Sequence, residues 1–130
     1  MEAPEAQKKS FFQLRELSHV HLTVSKLDRS VGWYTENLGL ESAFSDGKRL
    51  AILRLPDSEH GLTLIASKEK KVKADIRLTF KVAGGTVALE AWRLRLKKSG
   101  VPFSVRTHGE RVRGLYLTDP DGYSIEIFCD

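Results

Sequence analysis

Apolar and polar positions along the chain fall into two similar series. Leu17 to Val24 (LSHVHLTV) alternates and is rich in β-forming residues, which predicts a strand. Ser25 then opens a capping-box-like S-x-x-D with Asp28, and Leu27, Val31, Tyr34 and Leu38 recur at helical spacing until Gly39 ends the helix. Leu40 to Phe44, Arg49 to Leu55 and Leu62 to Ala66 alternate again and are separated by SDGK and PDSEHG, both turn-like, so three short strands follow. The order then repeats. Ile76 to Val82 (IRLTFKV) reads as a strand, and Leu89, Trp92 and Leu96 mark the apolar face of a helix ending near Gly100. Pro102 to Arg106, Arg113 to Thr118 and Tyr123 to Phe128 read as strands, the last two joined by DPDG.

Each half therefore reads βαβββ, and the offset of roughly 58 residues between them marks an internal duplication. The predicted fold is α+β, with two βαβββ modules forming a U-shaped mixed sheet around a pocket. The expected division is a tail over 1–16 and a single domain over 17–128, made of module one (17–67), a linker (68–74) and module two (75–128). Side chains alternate across a strand, so a sheet that packs one face on its helix turns the other toward a cavity. Val20, Leu22 and Val24 then face the first helix and leave His19, His21 and Thr23 toward the cavity. Leu78, Phe80 and Val82 leave Arg77, Thr79 and Lys81. In the final strand, Ile125 and Ile127 leave Ser124, Glu126 and Phe128. Tyr116 has the parity of Gly114 and Thr118, opposite Leu115 and Leu117, and faces the same way.

Composition narrows the chemistry. At 130 residues the chain is the size of one domain, and 29% charged against 41% hydrophobic residues is a folding balance. The net charge of +4 is scattered apart from Lys68 to Lys73 (KEKKVK), which reads as an exposed linker. No basic stripe with a recognisable module suggests nucleic acid. The single Cys129 precludes an intrachain disulfide and a cysteine zinc cluster and suits a reducing compartment. No apolar run suggests a signal peptide or a membrane span, so a cytoplasmic protein without a membrane partner is expected.

The stretch LSHVHLTVSKLDRSVGWYTENLGLE and the ending GLYLTDPDGYSIEIF resemble the opening and closing segments of the vicinal oxygen chelate superfamily, over residues 17–128. This family includes glyoxalase I, fosfomycin and bleomycin resistance proteins, methylmalonyl-CoA epimerase and extradiol dioxygenases. The resemblance implies a U-shaped sheet holding a divalent metal, with a His in the first strand of each module and a Glu after DPDG. Carried over, the ligands fall on His19 and Glu126. The module-two position falls on Arg77, whose guanidinium has no lone pair to offer a metal.

Three ways of making good that loss suggest themselves. His21 shares a strand face with His19, so His19, His21 and Glu126 form a two-His-one-carboxylate set of the kind that holds Fe(II). Asp75 shares the parity of Arg77. In the third, no metal binds, and Arg77 stands in for the ion's charge, pairing with Glu126 or bidentately with an anionic ligand. His60 and His108 read as surface histidines in turns, Tyr34 as core, and Cys129 as an unreactive thiol; Phe11 and Phe12 can pack on a neighbouring surface.

Two functions follow. The first is a small-molecule binding protein of the sequestration or resistance kind, without cofactor, using His21, Arg77, Tyr116 and Phe128 as ligand contacts. The second is an enzyme acting on vicinal-oxygen substrates through one divalent ion (Fe, Mn, Ni or Zn) on His19 and Glu126, with Glu126 moving the proton. In either case the expected working unit is a homodimer whose pockets draw on both chains.

Overall fold

Alternation in the sequence becomes alternation of burial. In β1 (His19–Val24), Leu22 and Val24 are buried and His21 is exposed; in β8 (Ser124–Phe128), Ile125 and Ile127 are buried on either side of Glu126. The structure, a computed structural model, describes residues 12–68 and 75–130. Most of the KEKKVK run and Phe11 lie outside those residues. The first module continues through α1 (Leu27–Leu38), β2 (Glu41–Ser45), β3 (Leu50–Arg54) and β4 (Gly61–Ala66). The second runs through β5 (Arg77–Lys81), α2 (Gly85–Lys98), β6 (Ser104–His108) and β7 (Arg111–Thr118) to β8.

The two modules have the same topology. Their sheets are ordered β1-β4-β3-β2 and β5-β8-β7-β6, with β1–β4 and β5–β8 parallel and the other pairs antiparallel. Each sheet buries one face against its own helix. Leu22, Val24, Leu53, Leu62 and Leu64 pack with Leu27, Tyr34 and Leu38 of α1, and Leu78, Leu115, Ile125 and Ile127 pack with Leu89 and Leu96 of α2. Strands β1 and β5 are each one edge of their ladder, and both line one crevice. Arg106 to Arg113, which reads as strand end and loop, instead continues β6 to His108 and returns after two residues, with Gly109 at φ 64° making the turn. His108 therefore closes a strand. Phe12 is 93% exposed and packs on nothing among the described residues.

The start of α1 departs from the capping-box reading. Lys26 holds the N-cap position without a side-chain hydrogen bond. Ser25 turns instead to the other module: its Oγ donates to Asp121 Oδ1 at 2.6 Å, and its backbone N–H reaches the same carboxylate at 3.2 Å. A shielded carboxylate that also draws Arg29 at 3.4 Å is a stronger acceptor than the exposed Asp28 one turn on. Asp28 is left as the acidic residue of the first turn, where the helix dipole favours it.

Asp119 completes this joint. Its Oδ1 accepts the N–H groups of Asp121 at 2.9 Å and Tyr123 at 2.8 Å, which shapes the DPDG turn, while Oδ2 accepts the Tyr34 hydroxyl at 2.6 Å. Both Tyr34 and Asp119 are buried. Nearby the Tyr123 hydroxyl donates to the Thr23 carbonyl at 2.9 Å, and Arg95 of α2 donates to the Glu36 carbonyl at the end of α1 at 2.8 Å. The modules are thus tied at both ends of α1.

Burial, and then the hydrogen bond to Asp119, hold the Tyr34 phenol far above its ordinary value. A proton bound more tightly in the folded than in the unfolded state gives stability that is intact below the ordinary tyrosine value near 10 and is lost as pH rises beyond it. Urea unfolding between pH 8 and 11.5 should show wild-type stability falling above about pH 10, with Tyr34 contributing a slope of up to ~1.4 kcal/mol per pH unit. Tyr34→Phe should lack that component and be less stable at pH 8 by about 1–3 kcal/mol, because the Asp119 carboxylate loses a buried donor. Parallel pH profiles for the two proteins would contradict this account.

Candidate functional site

Register across the second sheet places the chemistry. Thr79, Glu126, Tyr116 and Ser104 are successive partners on β5, β8, β7 and β6, and Arg77 pairs with Ser124 and Gly114 with both Phe128 and Arg106. Paired residues share a face, so Arg77, Glu126, Tyr116, Phe128 and Arg106 all stand on the side turned away from α2.

Glu126 is nearly covered, its side chain 13% exposed, and an Arg106 N–H donates to its Oε2 at 3.3 Å. Gly114 makes room for this pair: a Cβ there would lie 3.1 Å from Arg106 Nε and 3.2 Å from Glu126 Oε2. Partial desolvation works against the Arg106 charge, but hydrogen bonds to Glu126 and Tyr116 outweigh it and hold the guanidinium above its ordinary value. Arg77 stacks on the other side of this group, its guanidinium carbon 5.1 Å from the Tyr116 ring centroid. Among the described residues Arg77 has no carboxylate partner.

Arg77 also opens onto the crevice between β1 and β5. This space of about 310 Å³ is lined by Ser18, His19, His60, Arg77 and Thr79 above an apolar floor that includes Val20 and Leu62. His19 Nδ1 lies 2.6 Å from Ser18 Oγ, and His60 pairs with Glu16. His21 is exposed on the open face of the first sheet, opposite Thr63.

The expected residues are therefore brought together in part. Arg77 and Tyr116 touch, His19 and Arg77 share the crevice, and Glu126 and Phe128 stand on the Arg77 face. Glu126 is paired with Arg106 rather than Arg77. Arg106 sits across the bulge at Arg106/Thr107, and its parity with Gly114 and Tyr116 was the signal available for it. The expected strand Pro102 to Arg106 includes it, but no face is assigned to that strand, so the sequence reading does not place it in the site. Asp75 is exposed just ahead of β5.

The divalent site of the family does not fit these residues. Its module-two position is a guanidinium, its final-strand carboxylate is engaged by a second guanidinium, and among the described residues no three His, Cys, Asp or Glu side chains gather to hold an ion. A larger cavity, about 520 Å³, adjoins the crevice at Leu55 and Phe80 and lies between the end of β5, the end of α1 and α2.

Residues 16–127 match the family model described as the Glyoxalase/Bleomycin resistance protein/Dioxygenase superfamily. The chain belongs to this superfamily. It is 28% identical over 123 residues to metapyrocatechase from Geobacillus stearothermophilus, covering 92% of this chain and 36% of that protein, so the chain spans about a third of that relative's length. An integron cassette protein from the mobile metagenome of the Halifax Harbour sewage outfall shares its fold with a TM-score of 0.75 and 25% identity, over 90% of this chain and all of that one. Lactoylglutathione lyase from Agrobacterium tumefaciens superposes with a TM-score of 0.75 at 17% identity, over 90% and 95% of the two chains. The fosfomycin resistance protein FosX from Mesorhizobium loti does so at 0.71 and 16%, over 91% and 94%. The last two likenesses are of fold alone. Within the described residues no helix is long and apolar enough to cross a membrane.

Gly114→Ala tests the packing of the central pair. The methyl group meets the ends of flexible side chains, so stability should change little, while Arg106 must move off Glu126. The expected result is a melting temperature within about 3 °C of wild type and loss of the slowly exchanging Arg106 Nη–H resonance that bonding to Glu126 would give. Retention of that resonance would show that the pair does not depend on the glycine.

Proposed function

We propose that the open face of the second sheet and the adjoining crevice bind a small organic anion, with no divalent ion at the family's ligand position. The observation that carries this reading is the Arg106–Glu126 pair: the one acid expected to ligate or to move a proton already has its charge met, which leaves Arg77 as the uncompensated cation of the face. A planar guanidinium stacked on a phenol presents its remaining N–H donors as a fork suited to a carboxylate or a similar anion. Tyr116 and Phe128 offer ring surface to an organic body, and His19 and Thr79 offer polar contacts from the crevice. Binding without turnover, in a sequestration or resistance role, accords with this set.

A test with benzoate as probe reads the site directly. Amide shifts on titration should map to β5, β7 and β8, and Arg77→Gln should weaken binding about tenfold, the worth of one charge-assisted pair. Shifts confined to other parts of the chain, or binding untouched by Arg77→Gln, would remove the proposal.

A divalent-metal enzyme of the glyoxalase or dioxygenase kind is the second reading, favoured by the likeness to metapyrocatechase. Elemental analysis of protein purified without chelators separates the two. The wild type, His19→Ala and Glu126→Gln should all carry less than one equivalent of Fe, Mn, Ni or Zn. Arg77→His combined with Arg106→Gln should raise affinity for Ni²⁺ in calorimetry, since it restores an imidazole and frees the carboxylate. A full equivalent of metal in the wild type, lost in both single variants, would establish the enzyme reading instead.

A further inference from the structure

The cavity of about 520 Å³ adjoins the crevice, with which it shares Leu55 and Phe80, but Arg77 and Thr79 do not line it. Phe80 and Val82 line it together with Leu40, Leu55, Trp92 and Ile127, at the end of β5 away from Arg77. A volume of this size lies within the range of small-ligand sites, and its walls are hydrocarbon and aromatic ring drawn from both modules.

The charged residues of the lining are Lys81 and Arg95, and no acid contributes to it. Lys81 is already engaged by Asp130. Arg95 differs: it lies against Trp92, 5.1 Å from the ring centroid, and donates one N–H to the Glu36 carbonyl, yet it meets no carboxylate among the described residues. A guanidinium held by an aromatic face and one backbone carbonyl has further donors to spare. An apolar chamber with a fixed, incompletely satisfied cation at its wall complements an apolar body ending in a negative group.

We propose that this cavity is a second binding site, for an amphipathic carboxylate whose apolar body lies against Phe80 and Trp92 and whose carboxylate pairs with Arg95. Its cation, Arg95, is distinct from the Arg77 of the open face, and occupancy would bridge the end of α1 to α2.

The probe is 4-phenylbutyrate, with 4-phenylbutan-1-ol as its uncharged counterpart, read by the emission of Trp92 in a Trp33→Phe background. A saturable change is expected with the acid, and the alcohol should bind at least about tenfold more weakly. Arg95→Gln should remove that preference and Arg95→Lys should keep most of it. Val82→Phe, which narrows the cavity without adding a second emitter, should weaken binding of both. Circular dichroism confirms that each variant is folded, and Arg95→Lys serves if Arg95→Gln is not. Arg77→Gln should leave the titration unchanged, so that failure of the open-face site and failure of this one are told apart. Equal binding of acid and alcohol, the absence of saturation, or sensitivity to Arg77→Gln in place of Arg95→Gln would overturn the assignment.

Discussion

The carboxylates of Asp119 and Asp121 decide where the two modules stand. Each module has its own ladder and its own helix, and although their buried residues form one continuous cluster, nothing in backbone hydrogen bonding joins the two sheets among the described residues. The DPDG turn supplies the joint. Asp119 spends one oxygen on its own turn and the other on Tyr34, while Asp121 takes Ser25, Arg29 and Ser30 at the head of α1. A buried acceptor is costly unless satisfied, so separating the modules would strand Asp119 and the Tyr34 hydroxyl together. That asymmetry makes a short turn into a fixed hinge between the two modules, and it sets the edges of β1 and β5 against one crevice.

From this placement follows the electrostatic character of the open face. Strand alternation puts Arg77 and Glu126 on the same side, but neighbouring strands and not intent choose their partners. A guanidinium reaching from β6 passes over the bare Cα of Gly114 and meets Glu126 first. Arg77, on the edge strand β5 directly beside β8, turns to the face of Tyr116, an attraction that orients it without cancelling its charge. The result is a face whose acid is neutralised and whose outermost base is not, the reverse of what a divalent cation requires and the arrangement an anion favours.

Much of this was legible beforehand. Period-two alternation in LSHVHLTV and YSIEIF and the 3.6-residue stripe through Leu27, Tyr34 and Leu38 predict the elements and their buried faces, because burial on one side is what maintains such patterns. The parity that set Glu126 opposite Ile125 and Ile127 likewise placed Tyr116 and Arg77 beside it. What escaped was of a different kind. Ser25 followed by Asp28 carries a local capping signal, yet a competing acceptor nearly a hundred residues away displaced it. Tyr34 read as core, which its burial bears out, but no local pattern tells that its hydroxyl clasps Asp119. Arg106 falls at the end of the expected strand Pro102 to Arg106, but every residue of β6 is exposed, so no buried face orients it, and its bulge is not registered by sequence periodicity. Local spacing specifies faces; the partners across a face are fixed only by tertiary placement.

Position along β5 explains why one strand can serve two unlike chambers. β5 is an edge strand covered by α2 on one side only at its neighbours' expense: Leu78 is buried, whereas Phe80 and Val82, nearer the end of the strand, reach past the helix toward the end of α1. Leu89 and Leu96 are the residues of α2 that are fully buried, so the helix does not press its whole length onto the sheet. Arg95 fastens it to α1 across the gap that remains. A duplicated module whose helix must pack on its own sheet and also reach the other module's helix leaves such a gap wherever the two demands diverge. Toward the start of β5, with no helix to accommodate, Arg77 and Thr79 are free to face outward, and the chain acquires an apolar chamber and a cationic face that adjoin at Phe80.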